Sequence, residues 1–554
     1  MDSATNLEAI DPEPWTDREL GGIPYILARS AELHPHRTAI RDLGSGASAS
    51  YGSLHASTNR LAHALRRLGI RKGDRIALMF GNEIGLIEAL FACAKAGAVM
   101  CSVNARLLPQ EVKTYLQPHA IRAIICNPAF AGHFAGVETE FRIVSGAAPA
   151  EGGPWLEAEA LSRGEPDTPL RPVTTLGSPF RMIPTGGTTG ASKGVVHSHG
   201  GTLMTIAANI AEFGIRRGWK TLLIAPLFHG AAMDWALFPI LWRSGTVILP
   251  RDKSFNAENF LATVREHRVE YLLVVPAVIG AIHKAWDGVP LDCAKSIITT
   301  SAPTSPTLRA KLAEVFPGAD IMAGAGISES LNMAVQSPGE LLAHPASIGE
   351  AHMDTRMCIV DEAGRTLPRM RTGEICLRGF NTALYYNANA EATARTWKPR
   401  ADDPEGLEWC FTGDIGFMDE EGRLTLVDRS KDVIITGGET VPSVEIESAY
   451  AGHPAIAECA AVGLAHEQWG EAITLIVAKN DPALDEEILA KDLFDYGRSR
   501  LSGFKVPKQI AFLDALPRSH MGKLLKAALR TRQYGTLYDS KQPAPENTSK
   551  EETP

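Results

Sequence analysis

Between residues 51 and 126 the apolar pattern changes period again and again, and this alternation restricts the fold more than anything else in the chain. Leu54, Leu61, Ala64, Leu65 and Leu68 recur at helical spacing, and Gly69 stops the helix. Arg75-Ile76-Ala77-Leu78-Met79-Phe80 is then an apolar run of buried-strand length. A helix over 87–96, a strand over 98–103, a helix over 109–116 and a strand over 120–126 follow. Helix and strand at this pitch predict parallel βαβ units with a sheet covered on both faces. The alternation returns with strands expected over 221–225, 246–249, 271–275 and 295–299, a second α/β subdomain. Residues 145–180, rich in Ala, Gly, Pro and Glu, read as a surface connection. Short strands and glycine turns over 357–378 predict a small antiparallel barrel or sheet. Mixed helix and strand over 445–520 indicate a separate C-terminal lobe, and the polar, proline-bearing stretch from about 536 reads as a disordered tail.

Composition closes off other classes. A length of 554 residues exceeds one compact core, so at least two domains are expected. With 45% hydrophobic and 21% charged residues the chain is neither disordered throughout nor fibrous. A formal charge of −9 gives no electrostatic reason to expect nucleic acid or an anionic membrane as partner. Eight scattered cysteines without a Cys-x-x-Cys read as reduced core residues of a cytoplasmic protein. The acidic start Met1-Asp2-Ser3 lacks the apolar stretch of a signal peptide. The best candidate for a membrane span, 84–99, is interrupted by Glu88 and Lys95, so none is expected.

The chemistry concentrates in Pro184-Thr185-Gly186-Gly187-Thr188-Thr189-Gly190-Ala191-Ser192-Lys193-Gly194. Glycines let backbone N–H groups turn inward as an anion nest, threonines add donors and lysine adds charge, which is what holding a polyphosphate requires. A plain surface loop has no need of three threonines and a lysine among four glycines. The run is not a Walker loop, because Lys193 is followed by Gly194 and not by Ser or Thr. His197-Ser198-His199 lacks a third metal ligand nearby and is expected to be structural, at a strand-to-helix transition.

This run resembles the phosphate-binding loop of the adenylate-forming superfamily, which includes acyl-CoA synthetases, nonribosomal adenylation domains and beetle luciferases. Further segments of that family recur in the right order, from about residue 20 to about 530. Pro226-Leu227-Phe228-His229-Gly230 is similar to the segment whose histidine borders the substrate carboxylate. Ser301-Ala302-Pro303 resembles the adenine-lining segment. Ala325-Gly326-Ile327-Ser328-Glu329 resembles the segment whose glutamate is associated with Mg²⁺ and whose hydroxyl meets the α-phosphate. Ala325 replaces the aromatic residue usual there, a loss of roughly 1–3 kcal/mol of base stacking. Asp414, in Phe411-Thr412-Gly413-Asp414, matches the ribose-binding aspartate, and Arg429 the nucleotide-contacting arginine. Lys431 matches the hinge, Gly437 and Gly438 the pantetheine loop, and Lys523 the catalytic lysine.

The resemblance implies an α/β enzyme: an N-terminal ATP- and acid-binding part over 1–430, a mobile α+β domain over 431–535 and a tail over 536–554. It implies a carboxylate–CoA ligase using ATP, Mg²⁺ and CoA, in which acyl-AMP forms first and a thioester second. Implied pocket residues are Ala231, Ala232, Met233, Asp234, Ala277 and the Leu331-Asn332-Met333 stretch, with Asp234 more at home in a satisfied supporting role than on the substrate. The acid is expected to be a medium-sized or long acyl, or an aryl, acid. An acyl-AMP ligase that stops before CoA, or a non-catalytic nucleotide-binding regulator marked by Ala325, are the alternatives. A homodimer is compatible with this organisation.

Overall fold

The computed structural model describes residues 22–149, 154–185, 193–252, 254–301, 304–429, 432, 434–436, 439–466, 469–501, 503–518 and 524–540. Two large sheets carry the N-terminal part. In the first, the strands Arg75–Met79, Val99–Ser102, Ile121–Cys126 and Phe141–Val144 run parallel, as the alternation predicts. Its other flank holds the hairpin Pro179–Pro184 and Gly194–Ser198, then Tyr385–Tyr386. The second sheet is parallel through Thr246–Leu249, Lys220–Leu222, Tyr271–Val274, Ser296–Thr299 and Asp320–Ile327, and ends in the antiparallel strands Ser330–Gln336 and Glu350–Ala351.

The helices follow the apolar periodicity. Tyr51–Arg67 starts at Ser50, whose side chain accepts the Ser53 N–H as an N-cap. Ile84–Ala96 is buried on nearly every side, which explains its membrane-like composition. Its two charges face the helix Tyr51–Arg67: Glu88 accepts from Ser57 Oγ at 2.6 Å, and Lys95 Nζ donates to Thr58 Oγ1 at 2.6 Å and Asn59 Oδ1 at 2.7 Å. Among the described residues no helix is long and apolar enough to cross a membrane. Seven of the eight cysteines are buried and all eight are free thiols.

Three regions differ from the sequence reading. Thr38–Asp42 and Ser48–Ser50, too short to show a period, extend the second sheet through pairing of Ile40 with Val247. The connection 145–180 contains the strand Leu156–Glu157 and the short helix Ala158–Ser162. Tyr538–Asp539 pairs with Gln509–Ile510, so the expected tail includes a strand, and residues 541–554 lie outside the described ones. The antiparallel sheet foreseen over 357–378 gains Trp397–Pro399, Glu408–Met418 and Leu424–Arg429. A further sheet, with Ile456–His466, Gly470–Lys479 and Gln509–Leu513 at its centre, forms the C-terminal domain.

Candidate active site

The glycine-rich run connects the two strands of the hairpin, and its neck is closed by backbone bonding. Thr185 N–H donates to the Lys193 carbonyl at 2.9 Å, and Lys193 N–H donates to Thr185 Oγ1 at 3.1 Å. At Gly194 a Cβ would lie 2.3 Å from Met182 Sδ, so any side chain here would force the buried Met182 to shift. Gly186, Gly187, Thr188, Thr189 and Gly190 lie outside the described residues.

Lys193 is exposed, and its ammonium sits 4.6 Å from the centre of the Tyr386 ring. The Tyr386 hydroxyl donates to Glu329 Oε1 at 2.6 Å. The loop lysine and the glutamate of the Ala325–Glu329 segment therefore meet on one phenol. Burial, reinforced by the Glu329 charge, raises the Tyr386 pKa and keeps the phenol protonated. Tyr386 escaped the sequence reading. Its only signal is an aromatic pair between turns, and what places it is the pairing of Tyr386 with Val195, beside the loop exit.

The second fastening is His197, whose Nε2 lies 2.9 Å from the Ser328 carbonyl. Burial lowers its pKa to about 3, so the ring is neutral, and a carbonyl only accepts, so Nε2 carries the proton. The neighbouring His199 points elsewhere, its Nδ1 accepting the Ile23 N–H at 3.2 Å. Both imidazoles thus have structural partners.

Ala325 and Gly326 end the strand Asp320–Ile327, with Ala325 opposite Ala334. Ser301 is held at φ +76°, a left-handed backbone that is costly for a residue with a Cβ and that concentrates at ligand sites. Ala302 and Pro303 lie outside the described residues. Asp414 sits half-buried opposite Arg429 in the antiparallel pair. Its turn is fixed by Thr412, which accepts the Asp414 N–H at 3.0 Å and donates to the Ile375 carbonyl at 2.8 Å. Lys431, Gly437, Gly438 and Lys523 lie outside the described residues.

On the acid side, His229 occupies a turn closed by its own N–H to the Pro226 carbonyl at 3.1 Å. The residue is half-buried, and burial lowers the pKa of its imidazole and favours the neutral form. Ala232–Leu237 then winds as one π-helical turn, a rare geometry that recurs at functional sites. Phe228 and Met233 border a small apolar cavity together with Leu78, Phe80, Leu90 and Met100. Ala231 is half-buried and Ala277 is exposed at a helix start.

Two of the expected pocket residues have their polar groups held inside the protein, Asp234 in the supporting role expected of it. Asp234, 1% exposed, is ion-paired with the fully buried Arg181. Asn332, fully buried, accepts from Trp235 Nε1 at 2.9 Å and donates toward Asn209 at 3.1 Å and Asp354 at 3.2 Å. Their polar groups are spent inside the protein, because a buried amide or carboxylate must find partners there.

No three His, Cys, Asp or Glu side chains among the described residues are placed to cage a metal. Magnesium typically takes one or two carboxylates and completes its shell with phosphate and water, so Glu329 beside a phosphate loop fits its needs.

The family described as AMP-binding enzyme matches residues 27–387, and its C-terminal domain matches 445–523. The chain belongs to the AMP-binding enzyme family. This AMP-binding enzyme is 31% identical to a feruloyl-CoA synthase of Amycolatopsis sp over 91% of this chain and 97% of that protein. It is 29% identical to a long-chain-fatty-acid–CoA ligase of Mycobacterium tuberculosis over 93% and 99% of the two chains. An o-succinylbenzoate CoA synthetase of Bacillus subtilis, solved with its acyl-adenylate, shares the fold with a TM-score of 0.79 at 24% identity, over 92% of this chain and 99% of that one. The enzyme is a ligase of the AMP-forming acyl-CoA synthetase type.

Proposed function

We propose that this enzyme joins a carboxylic acid to CoA in two steps, with ATP and Mg²⁺, at the cleft between the glycine-rich loop and His229. The observation that carries this reading is the meeting of Lys193 and Glu329 on Tyr386 beside the loop neck. In the first step a carboxylate oxygen bonds to the α-phosphorus of ATP and the bond to pyrophosphate breaks. Thr185, Thr188, Thr189 and the loop glycines hold the departing pyrophosphate. Ser301, Ala302, Pro303, Ala325 and Gly326 line the adenine, Ser328 meets the α-phosphate, and Asp414 and Arg429 hold the nucleotide. Mg²⁺, held by Glu329, supplies charge neutralisation on the phosphates. Lys523 stabilises the negative charge that builds on the α-phosphate, and His229 borders the carboxylate without adding a charge of its own.

In the second step the CoA sulfur bonds to the acyl carbon, AMP leaves and the thiol proton is released. The domain over 431–535 turns about Lys431 against the part over 1–430, which withdraws Lys523 and brings Gly437 and Gly438 to the pantetheine. Ala231, Met233 and Ala277 border the acyl group. A medium-sized or long acyl, or an aryl, acid accords with relatives that include a feruloyl-CoA synthase and a long-chain-fatty-acid–CoA ligase. Cytoplasmic location, supported by the free buried thiols, and a homodimer complete the reading.

Acid-dependent ATP–pyrophosphate exchange over a panel of fatty, aryl and hydroxy acids tests it, followed by thioester formation with CoA. Lys523→Ala is expected to lose exchange by about 100-fold or more. Gly437→Leu is expected to keep exchange and lose the thioester. Adenylate without thioester in the wild type would indicate an acyl-AMP ligase. The regulator alternative rests on Ala325 and is opposed by the presence of Lys523, Glu329 and Asp414; absence of exchange over the whole panel would overturn adenylation.

A further inference from the structure

The strand that leads into the phosphate loop and the turn that carries His229 are tied by one buried ion pair. Arg181 lies four residues before Thr185, and Asp234 five residues after His229. Both are sealed from solvent, and the Arg181 guanidinium also reaches Met233 Sδ at 3.8 Å. One layer above, Gly230 is pinched between the two walls: a Cβ there would lie 3.3 Å from Ile183 on the hairpin and 3.3 Å from Leu331, two residues after Glu329. The Asp234 carbonyl accepts from Asn209 Nδ2 at 3.0 Å, which ties the same turn to the helix His199–Glu212.

The pair is an imperfect one. Arg181 Nε and Asp234 Oδ1 are buried without a hydrogen-bond partner. Burial pushes the Asp234 carboxyl up while Arg181 pulls it down. Desolvation makes such a pair no better for stability than apolar side chains of similar size. What a directional charge pair adds is register, one fixed setting of two backbone segments.

We propose that Arg181 and Asp234 form a positioning clamp that sets His229, and with it the acid, against the mouth of the phosphate loop. Neither side chain touches substrate; the clamp acts through the π-helical turn. The inference rests on the adenylation reading for its kinetic consequence, while the clamp itself can be read without any reaction.

The test uses the full chain with Arg181→Met and Asp234→Leu together, so that no buried charge is left unpaired. Hydrogen–deuterium exchange is read on peptides covering 179–185 and 226–237. The clamp requires faster uptake in both segments of the double variant, under conditions where the overall unfolding transition stays cooperative. In ATP–pyrophosphate exchange, KM for the acid is expected to rise tenfold or more, with KM for ATP within twofold of wild type. Arg181→Lys, which keeps the charge without the planar fork, is expected to give an intermediate KM for the acid. Unchanged deuterium uptake overturns the proposal, and so does an equal rise in both KM values, which is what general loosening gives. Lack of exchange in the wild type would count against adenylation alone, and the deuterium result would then decide the clamp.

Discussion

The two walls of the cleft are built on opposite principles. On the proposed phosphate side the polar groups are open to solvent or half-buried: Lys193 is exposed, and Glu329 and Asp414 are half-buried, Glu329 accepting from the distant Tyr386 and the Asp414 turn fixed by Thr412. On the acid side every residue from Ala232 to Leu237 is buried, and Asp234 is consumed by Arg181. Groups that meet a charged ligand need to stay unspent, whereas a wall that receives an apolar group is shaped by packing. Substitutions on the phosphate wall should therefore register in kinetics, and those on the acid wall in stability.

The largest effect expected is that of Asp234→Asn, which strands the Arg181 charge in the core. A loss of about 3–5 kcal/mol in unfolding free energy is expected from urea denaturation. A loss below about 1 kcal/mol would erase the contrast between the walls.

Tyr386→Phe removes a hydrogen bond to the Glu329 carboxylate, worth about 1.5–3 kcal/mol. Because Glu329 is the proposed magnesium ligand, KM for Mg·ATP is expected to rise about tenfold or more, with the urea midpoint little changed. A stability loss without a kinetic change would reassign Tyr386 to packing.

Lys95 extends the rule for buried charge to a third region. Burial lowers its pKa to about 7, whereas in the unfolded chain lysine titrates near 10.4. Between those values the unfolded state holds a proton that the folded state lacks, so stability rises with pH across that window and the penalty is constant below it. Relative to Lys95→Met, the wild type is expected to gain about 3–4 kcal/mol between pH 7 and 10 in denaturant titrations. A flat difference would show that Thr58 and Asn59 compensate the charge fully. The smallest stability effect is expected for Lys193→Ala, under about 1 kcal/mol, since an exposed cation on an aromatic face contributes little. KM for ATP should nevertheless rise, which is the phosphate-wall signature.

The order of the segments was legible in the chain because each is a short run of neighbouring residues. Thr185 and Lys193 are eight residues apart and bond to each other across the neck. The strand over 246–249 and the helix over 109–116 likewise follow from short-range period, and both occur where the period places them. The partners of Asp234 and Asn332 were hidden for the opposite reason. Nothing in the sequence around Asp234 announces Arg181, 53 residues earlier, and nothing around Asn332 announces Asp354 or Trp235. Tyr386 was missed because its partner Glu329 lies 57 residues away.

By itself the sequence determined the layered α/β class and the order of the segments, because periodicity and motif chemistry act over a few residues. Tertiary structure alone decided which polar side chains remain available to a ligand. That choice depends on partners brought together from distant strands, and a buried polar group accepts whichever partner the packing supplies.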